Sequence, residues 1–222
     1  NDDSRPLTDG LLHASKWTPF VAAVAALTLA QWWDSGIYVS LEDRNRRDLE
    51  RYQHLVRVVP RYDHAHLTLG TRHYAAGNLA AAGKSLDRAL TLSGDGNAKA
   101  HYNRGLVDAA QKDPQSAVGH YLRSLELAPL SDQAHHAHFA LGAAYQSLNE
   151  PDRAESHYLQ ALTIQPRFAV ASLGLGGLYR HAGKLDKARF HLLNAVRLLS
   201  EDGKGGTHLE AAQQQLESLD RP

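Results

Sequence analysis

The sequence contains no cysteine and no methionine in its 222 residues. Without cysteine there is no disulfide framework, no thiolate metal site and no cysteine nucleophile. That absence leaves the compartment open, since reducing and oxidising environments both tolerate it. The lack of methionine, even at the first position, leads us to expect that the sequence begins downstream of its initiator. An excess of either charge is also missing: 24 Lys and Arg balance 24 Asp and Glu. Nucleic-acid binders normally show a basic excess or a dense basic patch, so no nucleic-acid partner is expected. Val and Ile are sparse in the middle of the chain, where Ala and Leu dominate, which favours helix over strand.

What is present is periodic. Gly70, Gly105, Gly142 and Gly176 follow short Leu-Gly or Arg-Gly pairs and stand 35, 37 and 34 residues apart. Twelve residues after each glycine comes a small residue: Ala82, Ala117, Ala154 and Ala188. Four further on is a large one (Leu86, Tyr121, Tyr158, Leu192), and three beyond that another small one (Ala89, Ser124, Ala161, Ala195). Pro129 and Pro166 close two of the units. A small residue in a first helix lets a second helix approach closely, the large residue fills the gap, and proline stops the second helix.

This pattern resembles the tetratricopeptide repeat, most clearly in Leu141-Gly142-Ala143-Ala144-Tyr145 with Ala154, Tyr158, Ala161 and Pro166. The resemblance covers roughly Asp63 to Ser200. It implies an all-α solenoid of about four helix-turn-helix repeats, at 63–97, 98–134, 135–168 and 169–200. Gly77 and Gly183 suit the turn inside a pair, where a left-handed backbone ends the first helix. His73 and Asp108 depart from the pattern by replacing the usual aromatic of the first helix.

Both flanks read as caps. Residues 40–62 fit a half repeat, with Tyr52, Leu55, Val56 and Pro60 matching a second helix and Ser40 to Asp43 resembling a capping box. A helix from about Leu41 to Val58 is predicted. At the other end, 201–222 should hold a loop around Gly203, Gly205 and Gly206. A polar helix from His208 to Leu219 follows, with Leu209, Ala212, Leu216 and Leu219 on one stripe. Solenoids need such a helix to shield the last repeat.

Ahead of the repeats, after a tail at 1–16, Trp17 to Trp33 carries no charge. Trp17 and Phe20 at one end, and Trp32, Trp33 and Tyr38 at the other, resemble interfacial aromatic belts. The expectation is a single-pass transmembrane helix at 17–39 that contacts lipid; a buried helix packed on the first repeat is the other reading. Arg44, Arg46, Arg47 and Arg51 after the span put the repeats in the cytoplasm by the positive-inside rule. Arg46-Arg47 and Asp48 through Gly70, however, are similar to the junction before lumenal or periplasmic repeats in some membrane glycosyltransferases. Bacterial single-span proteins of the repeat family also often face the periplasm, so periplasmic repeats are expected.

Catalytic signatures are missing from the sequence. Gly203-Lys204-Gly205-Gly206 lacks the Walker spacing, Gly174, Gly176 and Gly177 fall inside a helix pair, and no His-Glu-x-x-His occurs. No enzyme activity and no cofactor are expected. His135 and His138 could share a helix face, but without a nearby Cys or well-placed carboxylate no metal site is expected. His66, His101 and His138 recur in successive first helices, and His120, His157 and His191 in successive second helices. Equivalent positions stand about a helix diameter (~10 Å) apart, too far for one ion to bridge.

In the repeat family, first helices line a concave groove that holds a partner segment. Carried over residue by residue, that groove comprises Leu67, Tyr102, Phe139 and Leu173 as one stripe. Beside it run His64, Lys99 and His136, then Thr71, Leu106 and Ala143, then Tyr74, Gln146, Arg180 and His181. Chaperone-binding members hold Lys and Asn where this stripe is apolar, so an apolar peptide or amphipathic helix is the expected occupant. Part of the stripe could instead pack beneath the chain's own terminal segments. The expected role is a membrane-anchored scaffold whose protein partners are subunits of a membrane complex. The alternative is the substrate-positioning part of a membrane enzyme system, such as a glycosyltransferase or a cytochrome-maturation factor.

Overall fold

The computed structural model describes residues 41–131, 133–201 and 206–219. The chain divides into two units, Asn1–Glu50 and Arg51–Pro222, and the repeats all lie in the second. Ten helices and no strand occur among the described residues. They are α1 (Leu41–Val58), α2 (Asp63–Ala75), α3 (Leu79–Leu92), α4 (Ala98–Ala110), α5 (Pro114–Leu127), α6 (Ala134–Ser147), α7 (Pro151–Ile164), α8 (Ala169–His181), α9 (Leu185–Glu201) and α10 (Gly206–Ser218).

Four antiparallel pairs, α2 with α3 through α8 with α9, repeat one geometry. Each first helix ends on a left-handed residue: Gly77, Lys112, Asn149 and Gly183, with φ of 76°, 64°, 58° and 69°. The next amide then reaches back to a carbonyl five residues earlier, from Asn78 to His73, Asp113 to Asp108, Glu150 to Tyr145 and Lys184 to Tyr179. This is the Schellman closure, which satisfies carbonyls orphaned at a helix end. Two of its four left-handed positions lack glycine, which is why only Gly77 and Gly183 announced the turn. Second helices then start cleanly: Asp113 accepts from the Ser116 amide, and Pro114 and Pro151 sit in the first turn, where no amide is missed.

Within each pair the glycine of the first helix meets the large residue of the second. A Cβ added at Gly70, Gly105, Gly142 or Gly176 would stand 2.6 Å from Leu86, Tyr121, Tyr158 or Leu192 respectively. Ala82, Ala89, Ala117, Ala154, Ala161, Ala188 and Ala195 are all fully buried, and Ser124 nearly so. Ser124 keeps its hydroxyl satisfied on the Ala98 carbonyl at 2.8 Å. The close approach of the backbones follows from this alternation of small and large residues.

Which helices touch sets the curvature. Every helix from α2 to α9 packs on the next one in the chain, and each first helix also packs on the following first helix. No second helix touches the next second helix among the described residues. First helices are therefore crowded on the inner wall and second helices spread on the outer one. At the C-terminal end α10 packs on α9 and α8, taking the place of a fifth first helix. Its Ala212 is buried with Ala169, Ala195, Leu198 and Leu199, while Leu209 and Leu173 pack alongside.

The tail 1–16, the expected membrane helix 17–39, Ser40, and Gly203 and Gly205 lie outside the described residues. Among those described, no helix is long and apolar enough to cross a membrane.

Candidate partner-binding groove

The inner wall is built from α2, α4, α6 and α8, and aromatic pairs organise its middle. Tyr102 on α4 leans on Tyr121 of its own pair, with ring centroids 5.9 Å apart. One repeat later Phe139 on α6 leans on Tyr158 at 5.8 Å, in nearly the same tilt. Phe168 closes against Phe139 edge-on at 5.5 Å. In repeats 2 and 3 a buried tyrosine of the second helix thus props a half-buried aromatic toward the groove. Burial pushes the Tyr102 phenol above its ordinary range, and nearby Tyr74 adds to this. Burial alone pushes Tyr158 up to about 12. Both rings stay neutral and apolar at physiological pH.

Between repeats 2 and 3 the wall opens into a cavity of about 540 Å³. Tyr102, Leu106, Phe139 and Ala143 line it, with Ala109 and Ser147 toward the turns. That volume lies within the usual range of ligand pockets, roughly 300–1,000 Å³. The one charged residue lining it is Lys112. A second recess of about 730 Å³ lies at the opposite end of α4 and α6, where Asp63, Lys99 and Gln133 join Tyr102. Tyr102 is shared by both.

The ten groove residues expected from sequence do not all reach one surface. Tyr102, Leu106 and Phe139 meet at one cavity, and Lys99 reaches the neighbouring recess. Leu67 does not face a groove: it is 7 % exposed and belongs to the core of the first repeat, where Tyr74 packs against it. Leu173 and Arg180 are covered by the chain's own C-terminal helix. Leu173 packs with Leu209 and Ala212, and Arg180 donates to the Ser218 hydroxyl at 3.2 Å. Gln146 accepts a hydrogen bond from the Tyr158 hydroxyl at 3.0 Å, so it braces that ring. His136 is exposed, but its ring is tilted against His135 and edge-on to Phe168. The accessible apolar wall therefore spans repeats 2 and 3, not all four. Lys112 escaped the sequence reading; its signal was a lysine in register with Gly77, Asn149 and Gly183.

The histidines form pairs that the sequence did not announce, while equivalent positions stay apart as expected. Rings at equivalent positions of successive repeats do not meet; instead the first- and second-helix rings of one repeat do. His101 and His120 approach Nδ1 to Nδ1 at 3.0 Å, and His138 and His157 at 3.1 Å. Such a contact needs one nitrogen protonated and the other bare. Around the first pair, Asp95 lies 3.2 Å from His101 Nε2 and Asp108 lies 3.7 Å from His120 Nε2. Asp108 is buried where the next repeats hold Tyr145 and Tyr179, and Arg104 pairs with it and with Asp87. Burial raises the Asp108 carboxyl above its ordinary value, and Arg104 works against that rise. Around the second pair, Tyr145 stacks on His157 and Arg153 lies over Tyr145. Burial lowers His120, His138 and His157 alike. Among the described residues, no group of three or more His, Cys, Asp or Glu is placed to hold a metal ion.

Comparison with known proteins agrees with this geometry. Two profiles of the tetratricopeptide repeat match residues 96–167 and 139–202. Among solved structures, MamA is 24 % identical over 76 % of this chain and 99 % of its own, with a TM-score of 0.63. The APC/C hetero-tetramer Cut9–Hcn1 is 20 % identical over 82 % of this chain and 34 % of its own, at 0.71. YrrB, described as having an unusual peptide-binding site, is 16 % identical over 78 % of this chain and 93 % of its own, at 0.57. At these identities the likeness is one of fold. Among curated proteins, none matches the sequence.

Proposed function

We propose that this chain, a member of the tetratricopeptide-repeat family, is a non-enzymatic scaffold that grips a partner protein in the groove of repeats 2 and 3. The observation that carries this reading is the cavity walled by Tyr102, Leu106 and Phe139. Its half-buried aromatics are held rigidly by Tyr121 and Tyr158, so little side-chain freedom is lost on binding. An apolar side chain of a peptide or amphipathic helix would fill the space. The peptide-binding site named for YrrB, on the same fold, supports the class of partner. The uncharged run from Trp17 to Trp33, with aromatics at both ends of 17–39, further supports a scaffold anchored in a membrane by one span. We place its repeats on the periplasmic side, where they would hold subunits of a membrane complex.

The test is the double change Tyr102→Ala with Phe139→Ala, read by partner co-purification from detergent-solubilised membranes and by thermal melting. Aromatic anchors in a partly desolvated groove commonly contribute roughly 2 kcal/mol or more each to binding. Loss of the partner with a cooperative melt retained supports the groove. A partner that stays bound moves the working surface elsewhere.

A further inference from the structure

Lys112 occupies a backbone position that suits it poorly. Its φ of 64° is left-handed, and the equivalent residues are Gly77, Asn149 and Gly183. Glycine is free of Cβ conflict there and asparagine tolerates it, whereas a long side chain has neither advantage. The same residue stands at the edge of the apolar cavity between repeats 2 and 3. It is exposed, and its side chain makes no hydrogen bond or ion pair among the described residues.

The carboxylates nearby are committed elsewhere. Asp113 caps α5 through the Ser116 amide at 3.1 Å, and Asp108 is buried against Arg104. Asp63 lines the other recess, beyond Tyr102. No carboxylate lines the 540 Å³ cavity. Its rim is positive on one side, its wall is apolar, and nothing in the wall neutralises the lysine.

We propose that Lys112 selects the partner segment: a peptide whose apolar anchor enters the Tyr102–Leu106–Phe139 cavity and whose neighbouring Asp or Glu pairs with the Lys112 ammonium. This rests on the groove reading above and adds the partner's charge to it. The apolar anchor supplies most of the affinity, and the ion pair fixes which segments are accepted.

Two synthetic amphipathic peptides test it, identical in Leu and Phe at helical i, i+3, i+7 spacing and differing only in Glu or Lys at the flanking positions. Anisotropy of the labelled peptides is read against the full chain, its Lys112→Gly variant and its Lys112→Glu variant. An exposed ion pair contributes up to about 1 kcal/mol. The acidic peptide should therefore bind up to about 5-fold more tightly, with the difference shrinking as salt is added. Lys112→Gly should abolish the preference while leaving the melting temperature equal or higher, because glycine suits the turn. Lys112→Glu should reverse it. Equal binding of the two peptides by the full chain overturns the inference and leaves the groove standing. A preference that survives in Lys112→Glu also overturns it. Failure of both peptides to bind overturns the groove reading itself.

Discussion

The ring of Tyr158 leaves no room for a methyl group on Gly142. A Cβ there would lie 2.6 Å from both Cδ1 and Cε1 of the ring. Tyr158 has little room to swing away: the backbone at Gly174 of the next repeat lies so near that a Cβ there would stand 2.9 Å from Cε1 and Cζ of the ring, and its hydroxyl is tied to Gln146. Gly142→Ala should therefore destabilise the protein by about 1–3 kcal/mol through overpacking. The parallel change Ala154→Leu, at a fully buried position of the same pair, belongs to the same class. Chemical denaturation measures both, and an unchanged midpoint would mean that the pair can separate without cost.

Arg104 neutralises a buried carboxylate, so its removal should cost more than a surface ion pair does. Asp108 is 3 % exposed and relies on Arg104, with a second oxygen that has no hydrogen-bond partner. Breaking such a pair from one side costs roughly 3–5 kcal/mol when the charge left behind is fully buried. With Arg104 itself partly exposed, about 2 kcal/mol is expected for Arg104→Ala. Asp108 would then titrate higher still, so the variant should recover part of its deficit as pH falls. A deficit that grows in acid would contradict this account.

Stability should fall in mild acid, with repeat 3 contributing a measurable share. Burial holds both His138 and His157 below the ordinary value of 6.5, and His157 further disfavours charge on His138. The unfolded chain therefore binds protons more readily than the folded one. The contribution is complete above the unfolded value and is lost as pH falls below it. Gln160 offsets the shift of His157 in part, while Arg153 reinforces it. Melting temperature should drop between about pH 7.5 and 5.5, and less steeply in His138→Gln with His157→Gln. An identical slope in that double variant would remove this pair from the explanation.

The membrane proposal is checked without reference to the groove. Carbonate washing strips peripheral proteins but leaves spanning helices in the pellet. The full chain should stay with the membranes, and a form beginning at about Leu41 should be released. Release of the full chain would end the single-span reading of 17–39.

The register of the repeats was legible because it is written in side-chain volume. Gly142 with Tyr158, and Gly176 with Leu192, are size pairs that any reading at the right period exposes. The groove was legible only by position, and position does not say what covers a residue. Leu173 and Arg180 occupy groove sites, yet α10 lies over them; Leu67 points into its own repeat. The histidine pairs were missed for a similar reason. His101 and His120 lie 19 residues apart, a separation that belongs to the turn of the helix pair and not to the repeat period. Lys112 was hidden because, where glycine is absent, only the register with Gly77, Asn149 and Gly183 marks a left-handed backbone.

Among the described residues, each inner helix touches only the helices next to it and the nearest inner helices. Mechanically, the repeats are then joints in series, and a small rotation at each adds up along the stack. The Tyr102–Phe139 cavity lies across one such joint, between repeats 2 and 3. A partner wedged there would stiffen that joint and set the bend of the stack at a single point. On the far side, with Tyr158 seated between Gly142 and Gly174, repeats 3 and 4 would follow as one lever.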